Sequence, residues 1–240
     1  MSADRRRIRA IVRKERREYR RNRSIVVTMA VLPLIFLIEP MVSVGLLHAP
    51  DTAQLRQTHV LIYLLAIPAL VPAAIGATSI VGERLQGTLE PVLTTPIRSE
   101  ELVVAKALAP LLPGVAVSYA VYALFLAYVE LFAHPGVAPA LVRGSDIAIQ
   151  VVATPLIAGV SIWIALGISA RVDDVRVAQQ LSLLASLPSV AVTSLISLDV
   201  IHATRGLAIA LGLVLIVANR LGWRIVSAAL DRERLIAGPR

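Results

Sequence analysis

The chain has 240 residues, of which 57% are hydrophobic and only 17% charged, and its mean hydropathy is +0.75. Repeated apolar runs of about 20 residues, long enough to cross a bilayer core, exclude an ordinary soluble domain, and the lack of cysteine excludes disulfides and thiolate metal sites. The net charge of +8 is sorted into short blocks and aromatic residues are few, so nucleic acid is not an expected partner.

The first 24 residues carry eleven Lys/Arg and three acids. Ile8, Ile11, Val12 and Tyr19 recur at near-helical spacing between arginines. Residues 1–23 therefore read as a basic amphipathic helix lying in the membrane interface. A secretory signal is not expected, because the next apolar run is too long and no small-residue cleavage site follows it.

The first span is expected over about residues 24–47. It contains Glu39 before Pro40, and an ionisable residue at membrane depth is expensive. Glu39 reads either as part of a transport path or as a protonated, hydrogen-bonded or interface-facing carboxyl. The second span covers about residues 60–81, with kinks expected at Pro68 and Pro72. Ala69, Ala73, Gly76 and Ala77 would let another helix approach closely.

Residues 82–108 form the longest polar interruption after the N-terminus, GERLQGTLEPVLTTPIRSEELVVAKAL. Gly87 and Thr88 break the preceding helix, and Thr88 can cap a short new one. Pro91 is tolerated in its first turn. Leu89, Val92 and Leu93 share one face, and Pro96 ends the helix by pushing Thr95 out of the α region. Ser99 can cap the following long helix, where Glu100 and Glu101 suit the macrodipole.

This stretch resembles the cytoplasmic loop of ABC-2 type transporter permeases. Glu83, Gly87, Thr88, Glu90, Thr95, Pro96 and Lys106 carry the resemblance, which extends more weakly over the whole chain. It implies a loop between the second and third membrane helices that docks on a separate ABC ATPase subunit. The residues implied in that contact are Glu83, Gly87, Thr88, Leu89, Glu90, Val92, Leu93 and Pro96. The family also implies two paired permease domains, hence a second copy or a similar permease, with ATP bound by the partner and no cofactor in this chain.

The later spans are expected at about residues 111–131, 146–170, 175–198 and 206–223. Ser161, Ala165 and Ser169 make a small-residue stripe suited to helix packing. Asp173 or Asp174 can cap the fifth helix. Trp223 is an interfacial anchor, and residues 224–240 form a tail. With six spans, 21 of the 24 Lys/Arg fall on one side and only Arg56, Arg143 and Arg205 on the other. The positive-inside rule then places both termini in the cytoplasm of a multi-pass cell-membrane protein.

The fold class is thus all-α, a six-helix membrane domain over residues 24–223 with an N-terminal interfacial helix. No G-x-x-x-x-G-K-[ST] phosphate loop, G-x-S-x-G elbow or H-E-x-x-H motif occurs in the sequence. The function expected is the path-forming permease of an ATP-driven exporter, without an ATPase site of its own. The alternatives are an ion-gradient-driven secondary transporter and a non-transporting membrane scaffold or enzyme.

Overall fold

The computed structural model describes residues 3–46, 60–88, 99–133, 137–202 and 204–229. All regular structure among them is helical. Among the described residues, six stretches are long and apolar enough to cross a membrane: Ile25–Gly45, Leu61–Leu85, Glu100–Phe132, Gly144–Ser169, Val175–Ser197 and Gly206–Ala229.

Helix α1 (Ala3–Arg21) contains no proline or glycine and is rich in Arg, which favours helix. Asn22 separates it from α2 (Arg23–Leu46); the Asn22 side-chain oxygen accepts from the Ile25 N–H at 3.4 Å and so caps the first span. Val12 and Tyr19, the apolar stripe of α1, are buried, and α1 packs on the long third-span helix and on α2. The stripe is therefore covered by protein, while the arginines at positions 5, 6, 9, 13, 16 and 17 face outward.

The second span is broken into α3 (Val60–Tyr63), α4 (Ala66–Gly76) and α5 (Val81–Leu85). The sequence leads one to expect a kink at each proline; the chain instead turns at residues 64–65 and again at 77–80. Pro68 explains the first break, because its ring would meet the carbonyl of Leu64 in a continuous helix. The N–H groups of Leu65 and Ile67 reach back only three residues there, to Ile62 and Leu64. Pro72 is carried inside α4. The second break contains no proline, and its cause lies in neighbouring helices.

Every residue of α4 is buried. It is packed by α2, by α6 (Ser99–Phe132), by α8 (Gly144–Ser169) and by α9 (Val175–Ser197). The short helix α7 (Val137–Leu141) precedes α8. A Cβ on Gly114 of α6 would lie 2.6 Å from the Pro72 ring, so α6 and α4 come this close only with glycine. On the other side Gly76 faces Ala165, as the small residues of both helices lead one to expect. Helix α10 (Arg205–Ala229) lies at the outside, on α8. Asp174 caps α9, accepting from the N–H groups of Arg176 and Val177 at 2.7 and 3.0 Å.

Candidate functional site: a buried ion cluster

Ions gather where the second span ends and the third begins. Lys106, on α6, is 1% exposed. A buried ammonium needs its charge and its three donors met. Its Nζ donates to the Ser79 carbonyl at 2.8 Å and to Glu15 Oε1 at 3.2 Å. It also meets Glu83 Oε2 at 2.6 Å, as an ion contact not aligned as a hydrogen bond. Glu83 Oε1 in turn accepts from Lys14 Nζ at 3.3 Å, and Arg7 pairs with Glu101 at 3.6 Å. The cluster thus ties α1, α5 and α6 together.

Elementary electrostatics sets the state of its α1 members. Burial pushes the Glu15 carboxyl above its usual range, against the pull of Lys106, and Glu83 pushes in the same direction as burial. Burial also opposes the charge of Lys14, but Glu83 and Glu18 outweigh it and hold its proton above the usual range. Tyr19, buried beside Glu15, is raised well above an ordinary phenol, first by burial and then by that carboxylate.

The break at 77–80 is finished by the same neighbourhood. Thr78 turns its hydroxyl back to the Ile75 carbonyl at 2.9 Å. The N–H groups of Ile80 and Val81 leave the helix ladder and donate to Ser169 Oγ at 3.1 and 3.0 Å. Lys106 takes the Ser79 carbonyl. Arg84 then reaches across to the α8–α9 turn, donating to the Ala170 carbonyl at 2.9 Å and to Asp173 at 3.1 Å. Backbone groups freed at this break inside the bundle are therefore met by side chains of two other helices, Ser169 of α8 and Lys106 of α6.

Of the residues expected to form the coupling contact, Glu83 is buried in the cluster. Gly87 has φ +65°, the left-handed conformation in which a side chain is strained. The N–H of Gly87 bonds to the Arg84 carbonyl and that of Thr88 to the Glu83 carbonyl, a Schellman closure of α5. The Thr88 hydroxyl is also directed to the Glu83 carbonyl, at 3.4 Å. Leu89, Glu90, Val92, Leu93 and Pro96 lie outside the described residues. Glu39 is remote from the cluster; it is exposed on the outer face of α2 and accepts from Ser43 Oγ at 3.0 Å.

Glu15, Lys14, Lys106 and Ser169 are the residues that sequence reasoning did not assign to this site. Two signals were present. Glu15 shares the face of Val12 and Tyr19, an acid within an apolar stripe. Lys106 is one of two lysines in the chain and stands in an apolar run.

Six helices long and apolar enough to span a bilayer, among the described residues, make this a multi-pass membrane protein. The chain matches the family model described as ABC-2 family transporter protein over residues 9–231, and it belongs to that family. It is accordingly a permease component of an ABC transporter, in a family that works with an ABC ATPase. No curated protein matches the chain.

Proposed function

We propose that this permease forms the path of an exporter and is driven by a separate ATPase that docks on residues 82–108 from the cytoplasm. The observation that carries this reading is the Glu83–Lys106 contact at 2.6 Å. These residues stand near the two ends of the loop, so a push on the loop moves α5, the start of α6 and, through Glu15, α1 as one unit. ATP is bound by the partner. Closure of the ATPases displaces the loop and tilts the second and third spans, shifting the bundle between two states.

The loop's apolar residues Leu89, Val92 and Leu93 supply the anchors for a helix-in-groove contact, with Glu83 and Glu90 as flanking acids. A second copy, or a similar permease, completes the path. Glu39 faces outward on α2 and is the candidate carboxyl for that path. Both termini lie in the cytoplasm of a cell membrane, where the outward arginines of α1 meet lipid headgroups.

The test is the double substitution Leu89→Ala with Leu93→Ala. Interfacial anchors commonly contribute about 2 kcal/mol each. ATPase co-purification and transport should both fall severalfold or more while the amount of protein in the membrane stays normal. Wild-type values of both, at equal expression, would make the loop a plain connector and refute the coupling role.

A further inference from the structure

A cleft of about 480 Å³ opens on the outside of the bundle between α6, α8 and α10. Its walls are apolar at Leu156 and Ile216 and aromatic at Trp163 and Trp223, whose rings meet edge to face at 5.6 Å. Its polar residues are Asn219 and Arg220. Asn219 is fully committed: its Nδ2 donates to the Leu156 and Leu215 carbonyls at 2.9 and 2.8 Å, and its Oδ1 accepts from Trp163 Nε1 at 3.2 Å. Arg220 is exposed, and among the described residues no carboxylate pairs with it.

Arg220 lies within the sixth candidate span, about 14 Å before the helix end at Ala229 at a rise of ~1.5 Å per residue. A guanidinium in that position is expensive unless an anion meets it. Before Arg220 the outward face of α10 is apolar, with Leu213, Val214 and Val217 exposed, and Leu221 beside it is exposed too, so the cleft opens toward acyl chains. What enters from that side is lipid, and the charge that complements Arg220 is a phosphate. Arg224, one turn nearer the helix end, adds a second cation.

We propose that this cleft is a binding site for an anionic glycerophospholipid. The phosphate is held by the Arg220 guanidinium, whose fork matches phosphate oxygens. One acyl chain lies along Leu156 and Ile216, and the two indoles flank the glycerol region. The site is independent of the coupling reading and lies on the opposite side of α6 from the α1 contact with Lys106.

The chain has only two tryptophans, Trp163 and Trp223, and both line this cleft, so tryptophan emission, excited beyond the tyrosine absorption band, reports on the cleft. The whole protein is reconstituted in phosphatidylcholine vesicles containing increasing fractions of acyl-brominated phosphatidylglycerol or, in a parallel series, acyl-brominated phosphatidylcholine. The brominated phosphatidylglycerol should reach half-maximal quenching at about a fivefold lower fraction, the preference one cation gives an anionic lipid. Arg220→Gln should remove most of the separation, leaving what Arg224 supplies, and Arg220→Lys should keep a larger part of it. Removing outward charge from α1 with Arg16→Gln and Arg17→Gln should leave it. Coincident curves in the wild-type protein overturn the proposal without any variant. So does an unchanged separation in Arg220→Gln.

Discussion

Lys106 and Arg220 both stand on helices long and apolar enough to cross a membrane, Lys106 in the loop-side turns of α6 and Arg220 toward the end of α10, and the bundle treats them in opposite ways. Lys106 is 1% exposed and surrounded by two carboxylates and a backbone carbonyl. Arg220 faces outward beside a cleft where, among the described residues, no carboxylate meets it. The first charge is answered within the chain, and answering it joins three helices. The second is left to be answered from outside, which makes its surroundings a place for something other than this chain. A cation's cost in a membrane thus becomes structural or functional according to which side of the helix carries it.

The largest expected effect follows from Lys106→Met. Removing one partner of a buried ion group leaves Glu15 without its cation and Glu83 with only the part-exposed Lys14, a loss on the order of 3–5 kcal/mol. Thermal unfolding in detergent should show a strongly lowered midpoint. Adding Glu15→Gln and Glu83→Gln to Lys106→Met should recover much of it, because the uncompensated charge is then gone. A single Lys106→Met variant as stable as the wild type would break the contrast with Arg220 at its root.

Ser169→Ala should have an intermediate effect. Ser169 is fully buried and its hydroxyl is the acceptor for the Ile80 and Val81 N–H groups. Leaving buried donors unmet costs about 1–3 kcal/mol. Hydrogen exchange should accelerate at Ile80 and Val81 first, with α4 still protected. Uniform exchange across the second span would mean that the break at 77–80 does not depend on α8.

Glu15 gives the contrast a pH dependence. Its carboxyl is raised in the folded chain, chiefly by burial. A raised carboxyl favours the folded state fully below its unfolded value, near 4.5, and that advantage is lost as pH rises through the folded value. The stability of the wild type relative to Glu15→Gln should therefore fall as pH rises from about 4.5 toward neutrality. Unfolding midpoints of the two proteins across that window measure it, and parallel curves would contradict the assignment.

Much of this fold was legible because membrane helices announce themselves by length and apolarity. The six spans, a helix break at Gly87 and a cap at Asp173 or Asp174 follow from local chemistry, and the structure gives Gly87 a left-handed φ and the cap to Asp174. What was hidden depends on partners distant in sequence. The break at 77–80 has no proline to mark it, since its freed groups are taken by Ser169 and Lys106. The stripe of Val12 and Tyr19 was readable as an apolar face, but its cover was not: Glu15 on that face meets a lysine about 90 residues later. Arg220 was readable only as a charge at a helix end, because the cleft beside it is built by Trp163 and Leu156 of another helix.

The smallest expected effect on stability belongs to Arg220→Gln. The side chain is exposed and makes no ion pair among the described residues, and Asn219, beside it, keeps all of its own hydrogen bonds. Substitutions away from packed or paired groups change stability little, so the melting midpoint in neutral detergent should move by no more than about 2 °C. The same variant should lose most of the stabilisation that added phosphatidylglycerol gives the wild type, since a ligand that binds only the folded state raises the midpoint by mass action. Lys106→Met should show the reverse pattern, a low midpoint in neutral detergent that phosphatidylglycerol still raises. A large fall for Arg220→Gln without lipid would mean that the arginine is braced within the chain after all, and that the two cations differ only in how their contacts are arranged.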